Sequence, residues 1–204
     1  MFYKERIGED LVAFDGLYDG FMFPFEFLRL RNVRKNLMKN VFGNVLEVGT
    51  GTGANFNFYD FNKVDRFILL DTALSTKVKN FTFPKNVKVN YIEGSVEELP
   101  LESASIDNVV FTLVFCSVVD PLKGLMEINR VLKPGGKIYF IEHVLPHNHL
   151  LQSVFNRINP SWSKMAKGCN VNRQTLKTIK DAGFQIEIHH EFFSGAFIEG
   201  VGIK

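Results

Sequence analysis

Three glycines at alternate positions, Gly49, Gly51 and Gly53, follow the apolar run Val45–Val48 and precede Ala54-Asn55. A turn of this composition brings a ligand against bare backbone, because no Cβ stands in the way. The spacing is G-x-G-x-G with the acidic Glu47 just before it. A dinucleotide-binding turn is instead G-x-G-x-x-G, its third glycine serving helix packing. About 20 residues past the glycines, Asp71 ends a second apolar run, where a nucleoside-binding α/β fold places the carboxylate that accepts hydrogen bonds from ribose hydroxyls. The same residue could cap a helix beginning near Ala73. Later in the chain, His143, His147 and His149 lie close together. No cysteine or carboxylate cluster completes a metal site around them, so the expectation is no metal and a loop with histidines near an acceptor.

Composition narrows the class. The 204 residues suffice for one substantial α/β domain. Lys and Arg total 24 against 22 Asp and Glu, a net charge of +2 that gives no reason to expect nucleic acid. No run approaches the roughly 18 apolar residues of a membrane span, and Met1-Phe2-Tyr3-Lys4-Glu5-Arg6 lacks a signal-peptide core. The two cysteines, Cys116 and Cys169, suggest neither a disulfide framework nor a zinc site, and Cys116 reads as a small buried residue. A reducing, cytoplasmic location is expected.

The elements that must position these residues follow from periodicity. Val45–Val48 reads as a buried strand, then the glycine turn, then a helix start. Arg66–Asp71 is a second strand, and Asn86–Ile92 alternates as a third. Ser105–Val118 is the longest apolar run and suits a central parallel strand buried on both faces. Its end, Thr112 to Ser117, would reach the carboxyl edge of the sheet beside the glycine turn, where open α/β sheets bind ligands. Leu122, Leu125, Ile128 and Leu132 mark a helix that Pro134-Gly135-Gly136 stops, and Lys137–Glu142 is a fifth strand. Leu150–Ile158 is helical in pattern, and Pro160-Ser161-Trp162 is expected to break it. Asn172 is a plausible N-cap of the next helix and Gly183 its stop. Gln185–Phe193 and Gly195–Ile203 read as a closing hairpin. Residues 1–40 precede all of this, with a loose stripe of Leu11, Val12, Phe14, Leu17 and Tyr18, and a Phe-rich stretch leading into a basic amphipathic segment. They read as a helical cap, and a peripheral contact of the Phe-rich stretch with an anionic membrane is the sharper reading.

The phrase Glu47-Val48-Gly49-Thr50-Gly51-Thr52-Gly53 resembles the first motif, E-x-G-x-G-x-G, of the class I S-adenosylmethionine-dependent methyltransferases. Gly94-Ser95-Val96-Glu97-Glu98-Leu99-Pro100 resembles the family's G-D-A-E-x-L-P, with Ser95 in place of the aspartate that contacts the adenine amine, which would pass that contact to backbone groups or Glu97. Asp120-Pro121 through Glu127-Ile128-Asn129-Arg130-Val131-Leu132-Lys133-Pro134-Gly135-Gly136 resembles D-P-x-x-x-L-x-E-x-x-R-V-L-K-P-G-G, the most specific of the three. Together these cover most of residues 44–142. The resemblance implies a Rossmann-like α/β fold: a seven-stranded, mostly parallel sheet with helices on both faces and an antiparallel C-terminal hairpin. It implies a cap over residues 1–40 and a cofactor domain over 41–204. Cofactor contacts are implied at Glu47, Gly49, Thr50, Gly51, Gly53, Asp71, Thr72, Gly94, Ser95, Val96, Thr112, Leu113 and Tyr18, with S-adenosylhomocysteine as product.

Thr112-Leu113-Val114-Phe115-Cys116-Ser117-Val118, Glu142-His143-Val144 and Gly168-Cys169-Asn170-Val171-Asn172-Arg173 look like a branch holding thiol S-methyltransferases and phosphatidylethanolamine N-methyltransferases. Quinone C-methyltransferases are close relatives. The mammalian thiol enzymes carry a membrane-anchoring N-terminal helix whose hydropathy has no counterpart in residues 1–40. The expected acceptor is a small hydrophobic thiol or an amine-bearing lipid, with quinone C-methylation as the alternative. A thiol needs little help to ionise, whereas amine or carbon acceptors need a base, for which His143 is the candidate. Rivals of other classes are a nicotinamide-dependent oxidoreductase, disfavoured by the glycine spacing, and a non-catalytic S-adenosylmethionine-binding module.

Overall fold

Runs rich in Val, Ile, Leu and Phe with few polar interruptions can be satisfied only between two covered faces, and the chain lays them in one mostly parallel sheet. The structure is a computed structural model and describes residues 30–166 and 168–204. The chain divides into two units at Val33/Arg34, and the unit Arg34–Lys204 carries the sheet. Tyr18 and residues 1–29 of the expected 1–40 cap lie outside the described residues.

Helix α1 (Arg31–Met38) leads into β1 (Gly43–Val48), followed by β2 (Val64–Asp71), helix α2 (Thr76–Lys79) and β3 (Lys88–Glu93). Then come β4 (Ile106–Thr112), helix α3 (Pro121–Val131), β5 (Leu132–His143), helix α4 (His149–Met165), helix α5 (Thr175–Asp181), β6 (Gln185–Phe192) and β7 (Phe197–Ile203). The seven strands run in the order β3-β2-β1-β4-β5-β7-β6. The first five neighbours pair in parallel, and β7 joins β5 and β6 antiparallel. β1 and β4, adjacent at the centre, align Leu46 with Val109 and Val48 with Phe111.

Because side chains alternate along a strand, each central strand feeds two cores. Leu46, Val48, Ile68, Leu70, Val109, Phe111, Ile138 and Phe140 join one core, which also takes Leu125 and Ile128 of α3 and Ile179 of α5. Phe67, the alternate residue on β2, turns instead into an aromatic group with Phe56, Tyr59, Phe61, Phe81 and Phe83, ring centroids 4.7–5.9 Å apart.

That aromatic group explains one departure from the sequence expectation. The helix start expected after the glycines is a single 3₁₀ turn, Phe56–Phe58. Asn55-Phe56-Asn57-Phe58 favours helix weakly, since asparagine competes for backbone partners and aromatics lose rotamer freedom. Burying Phe56 against Phe67, Phe81 and Phe83 prevails over extending the turn.

Helix α4 is the second departure, because it continues through Pro160. The residues just before the proline are gripped from outside the helix: the Val171 N–H donates to Asn159 Oδ1 at 2.9 Å, and Asn172 donates to Asn156 Oδ1 at 2.9 Å. These bonds hold the helix where the proline would break it. Asn172 is thereby used up, and the N-cap of α5 is Gln174, which makes no side-chain cap. At α3, by contrast, Asp120 Oδ1 accepts from the Lys123 N–H at 3.0 Å with Pro121 at the first helical position. No helix among the described residues is long and apolar enough to cross a membrane.

Candidate active site

The glycine turn is positioned by the strand on either side of it. The Gly49 N–H donates to the Leu70 carbonyl at 2.8 Å, carrying the β1–β2 ladder past the end of β1. Gly49 has φ +65 and a Cβ there would come within 2.5 Å of Val114 Cγ2, so both conformation and space require glycine. Gly51 has φ +52, and a Cβ on it would meet nothing within 4 Å: its backbone faces open space. The Gly51 N–H donates to Asp71 Oδ2 at 2.8 Å, and the Ser75 hydroxyl donates to the Gly51 carbonyl at 2.8 Å. Asp71 therefore clamps the turn onto the end of β2, and its Oδ1 also accepts from the Ala73 N–H at 3.2 Å. The helix begins later than Ala73, with Ser75 as its cap.

A cavity of about 350 Å³ opens at this carboxyl edge. Its walls are apolar on the sheet side, from Val48, Leu70, Val96, Leu113, Val114 and Val118, and polar at Asp71, Thr72, Ser95, Glu97 and Ser117. Leu113 adopts φ +58, a left-handed conformation costly for a side-chain-bearing residue. It turns the chain sharply off β4, and its N–H is held by the Ile141 carbonyl at 2.8 Å. Next door, Glu142 Oε1 accepts the N–H groups of Val114 at 2.9 Å and Phe115 at 3.0 Å. Burial pushes the Glu142 carboxyl up to about 8 against the pull of those amides.

Of the expected cofactor contacts, Gly49, Asp71, Thr72, Gly94, Ser95, Val96 and Leu113 line this cavity. Glu47, Thr50, Gly51, Gly53 and Thr112 do not. Glu47 is 1% exposed and accepts hydrogen bonds from Asn55 Nδ2 at 3.1 Å and the Tyr59 hydroxyl at 2.6 Å. Arg34 donates to Asn55 Oδ1 and, at 2.9 Å, to Thr112 Oγ1. These five side chains tie the turn to the ends of β1 and β4. Burial raises the Glu47 carboxyl from 4.5 to about 7, offset in part by Tyr59, Asn55 and Arg34. Thr50 is buried with its Oγ1 lacking a hydrogen-bond partner, an orphaned polar atom within the glycine turn. Glu97, named as an alternative to Ser95, and Ser117, at the end of the expected ligand edge, line the cavity too, whereas sequence reasoning missed Val118 and Val119 as lining residues. The signal for Val118 was the length of the apolar run from Ser105, which overshoots the strand that ends at Thr112.

The candidate base is placed differently. His143 ends β5 at 5% exposure, lines neither this cavity nor a second one of about 350 Å³ near Gln174 and Lys177, and packs on Phe197 at 4.1 Å. The three histidines are not brought together: His147 is exposed and faces Glu191 at 3.5 Å, and His149 opens α4 at the surface. His143 meets the two cysteines instead, with its Nδ1 3.6 Å from Cys169 Sγ. The neighbouring Cys116 thiol draws the Cys169 thiol below its ordinary range, and Cys169 together with burial pushes Cys116 up.

An open sheet in this order, with a glycine turn and an acid-ended β2 meeting at one cavity, defines a nucleoside-cofactor fold. A methyltransferase-domain family model matches residues 46–140. The thiol S-methyltransferase TMT1B of Rattus norvegicus is 37% identical over 151 residues, 69% of this chain and 59% of that protein. The thiol S-methyltransferase TMT1A of Homo sapiens is 33% identical over 162 residues, 72% of this chain and 62% of that one. A demethylmenaquinone methyltransferase of Chlorobaculum tepidum is 28% identical over 128 residues, 61% of this chain and 51% of that one. The chain thus spans about three-fifths of the length of the thiol relatives. Among solved structures, an S-adenosylmethionine-dependent methyltransferase from Mesorhizobium loti superposes with TM-score 0.65 at 14% identity over 85% of this chain and 96% of that one, a likeness of fold. The chain carries a methyltransferase domain over residues 46–140 and has the fold of the class I S-adenosylmethionine-dependent methyltransferases. S-adenosylmethionine is the cofactor that such a domain implies, and the open backbone at Gly51, the orphaned Thr50 hydroxyl and the carboxylate of Asp71 fit it.

Proposed function

We propose that this protein transfers a methyl group to the sulfur of a small apolar thiol. The observation that carries the reading is the similarity to thiol S-methyltransferases across more than two thirds of the chain. The cavity chemistry agrees with it. Among the described residues, no histidine or lysine lines the cavity, and the carboxylates that do are already engaged: Asp71 by Gly51 and Ala73, Glu97 by the Asp120 N–H at 2.9 Å. An acceptor that must shed a tightly held proton would need a free base. A thiol, with a pKa of about 8.5, is partly ionised at neutral pH and does not.

In this reading, bound S-adenosylmethionine supplies an electrophilic methyl on a sulfonium. The chain's own residues align and exclude. The glycine turn and Thr50 hold the amino-acid end, and Asp71 offers its remaining lone pairs to the ribose hydroxyls. Ser95, Val96 and Glu97 border the base, and Leu113, Val114 and Val118 keep water from the line of transfer. Such alignment can remove several kcal/mol of the barrier, up to about 7–11 in favourable models.

The test is transfer of labelled methyl by the full chain to an alkyl thiol, to phosphatidylethanolamine in mixed micelles and to a demethylated quinone, side by side. Label in the thiol, with a rate rising as pH approaches the thiol's own pKa, is expected. Label only in the lipid or the quinone overturns the thiol reading. Cofactor binding with no transfer to any acceptor would leave a non-catalytic binding module.

A further inference from the structure

Outside the cofactor cavity, the fold gathers the side chains of Cys116, His143 and Cys169, all buried, with their Sγ and ring nitrogen atoms within 4.8 Å of one another. They come from three separate places: the loop after β4, the end of β5 and the loop before α5. We propose that this trio is a binding site for a zinc ion, held by two thiolates and one imidazole. Zinc bonds of about 2.3 Å to sulfur and 2.0–2.1 Å to nitrogen, at a tetrahedral angle, separate those two atoms by about 3.5 Å. Cys169 Sγ lies 3.6 Å from His143 Nδ1.

The backbone around each of the three is fixed by hydrogen bonds to the others' segments, as ligands of a preformed site require. The Asn170 N–H donates to the Cys116 carbonyl at 2.8 Å and the Asn170 side chain donates to it at 3.2 Å, locking the Cys169 loop to the Cys116 loop. Thr175, 2% exposed, donates its hydroxyl to the His143 carbonyl at 3.2 Å. Glu142 holds the chain just before Cys116 through the Val114 and Phe115 amides. Its other oxygen, Oε2, is buried and without a hydrogen-bond partner.

Burying two thiols and an imidazole together answers no packing need that apolar side chains would not meet better, and a dication gives their electron pairs a partner. Binding is balanced: two thiol protons leave to solvent as two Zn–S bonds form, and neutral His143 bonds through Nδ1. Three protein ligands leave the fourth tetrahedral place for a water or a small ligand. The soft character of the donor set selects zinc or copper(I) over calcium or magnesium.

The test uses the full, untagged chain, reduced, stripped with a zinc chelator and dialysed. On titration with zinc chloride it takes up one equivalent by elemental analysis. Titration with cobalt(II) gives thiolate-to-metal charge-transfer absorption. Cys116→Ser, Cys169→Ser and His143→Asn each weaken zinc binding by 100-fold or more, whereas His149→Ala, at the surface, retains the stoichiometry. Because a variant could fail to fold, thiol labelling of the unmutated chain decides independently. Zinc should slow modification of both cysteines at least 10-fold, and the chelator should restore it. The proposal is overturned by substoichiometric zinc, by thiols equally reactive with and without zinc, or by a Cys116–Cys169 disulfide whose reduced form retains no metal. None of these readouts depends on methyl transfer, so they stand apart from the acceptor question.

Discussion

Glu47 makes stability depend on pH in a direction opposite to most carboxylates. Its folded-state carboxyl titrates at about 7 against 4.5 in the ordinary environment, chiefly because burial penalises the charge. Between those two values the folded state holds a proton that the unfolded chain has lost, so unfolding stability falls as pH rises. The contribution is full below about 4.5 and is lost as pH passes through about 7. At about 1.4 kcal/mol per pH unit, the gap amounts to about 3 kcal/mol. Glu47→Gln removes the titration while keeping an oxygen to accept from Asn55 and an amide to meet the Tyr59 hydroxyl. Urea unfolding of both proteins at pH 5 and at pH 8.5 reads the difference. The native protein should lose about 3 kcal/mol more than Glu47→Gln across that interval, and the variant should be the more stable at pH 8.5. Other titrating groups are common to both proteins and cancel. Parallel pH dependence of the two, or a native protein gaining relative to the variant as pH rises, would falsify the account of Glu47 as a carboxyl governed by desolvation.

Gly49→Ala forces a Cβ to 2.5 Å from Val114 at φ +65. It should cost about 1–3 kcal/mol in thermal or urea unfolding and weaken S-adenosylhomocysteine binding by more than 10-fold in calorimetry. Asp71→Ala frees the Gly51 and Ala73 amides as well as removing the expected ribose acceptor; product affinity should drop more than 10-fold with little change in thermal stability, and unaltered affinity would dismiss the ribose role. Arg130 donates to the Leu99 and Leu101 carbonyls at 2.9 and 2.8 Å and pairs with Glu127, pinning the segment that follows the adenine-side loop. Arg130→Ala should destabilise by about 1–2 kcal/mol, discounted for its partial exposure, with the loss read in a denaturant midpoint.

Sheet and cofactor edge were legible because period-2 and continuous apolar runs have one economical arrangement, and because glycines at alternate positions just after a strand leave few alternatives to a ligand turn. The closing hairpin was legible for the same reason, Gln185–Phe192 and Phe197–Ile203 pairing antiparallel as the alternation implied. What escaped the sequence was decided by long-range contact. Pro160 sits inside a helix because Asn170–Asn172 hold Asn156 and Asn159 from a loop beyond it. Phe56 abandons helix for an aromatic group assembled from two later segments. Cys116, His143 and Cys169 carry no shared spacing, so their meeting belongs to topology alone.

Two buried carboxylates show how the sheet builds its edge. Glu47 on β1 and Glu142 on β5 flank β4 within the strand order, and each is almost wholly removed from water at a cost that raises its pKa. Apolar residues of the same volume would be as stable or more so. What the carboxylates add is direction. Glu47 gathers Asn55 and Tyr59 beneath the glycine turn, while Glu142 takes the Val114 and Phe115 amides and so bends the chain past the left-handed Leu113. The glycine turn and the β4 turn are the two sides of the cavity that must stay in register for in-line transfer. Glu142→Gln tests this above pH 8, where the native carboxyl is ionised, since it keeps the size of the side chain but weakens its acceptance of two amides. Stability should change little, while cofactor affinity and methyl-transfer rate fall together, because the wall formed by Leu113 and Val114 would no longer be held at one distance from Gly49. A variant that unfolds more easily yet binds cofactor and turns over normally would show that Glu142 serves the core and not the site.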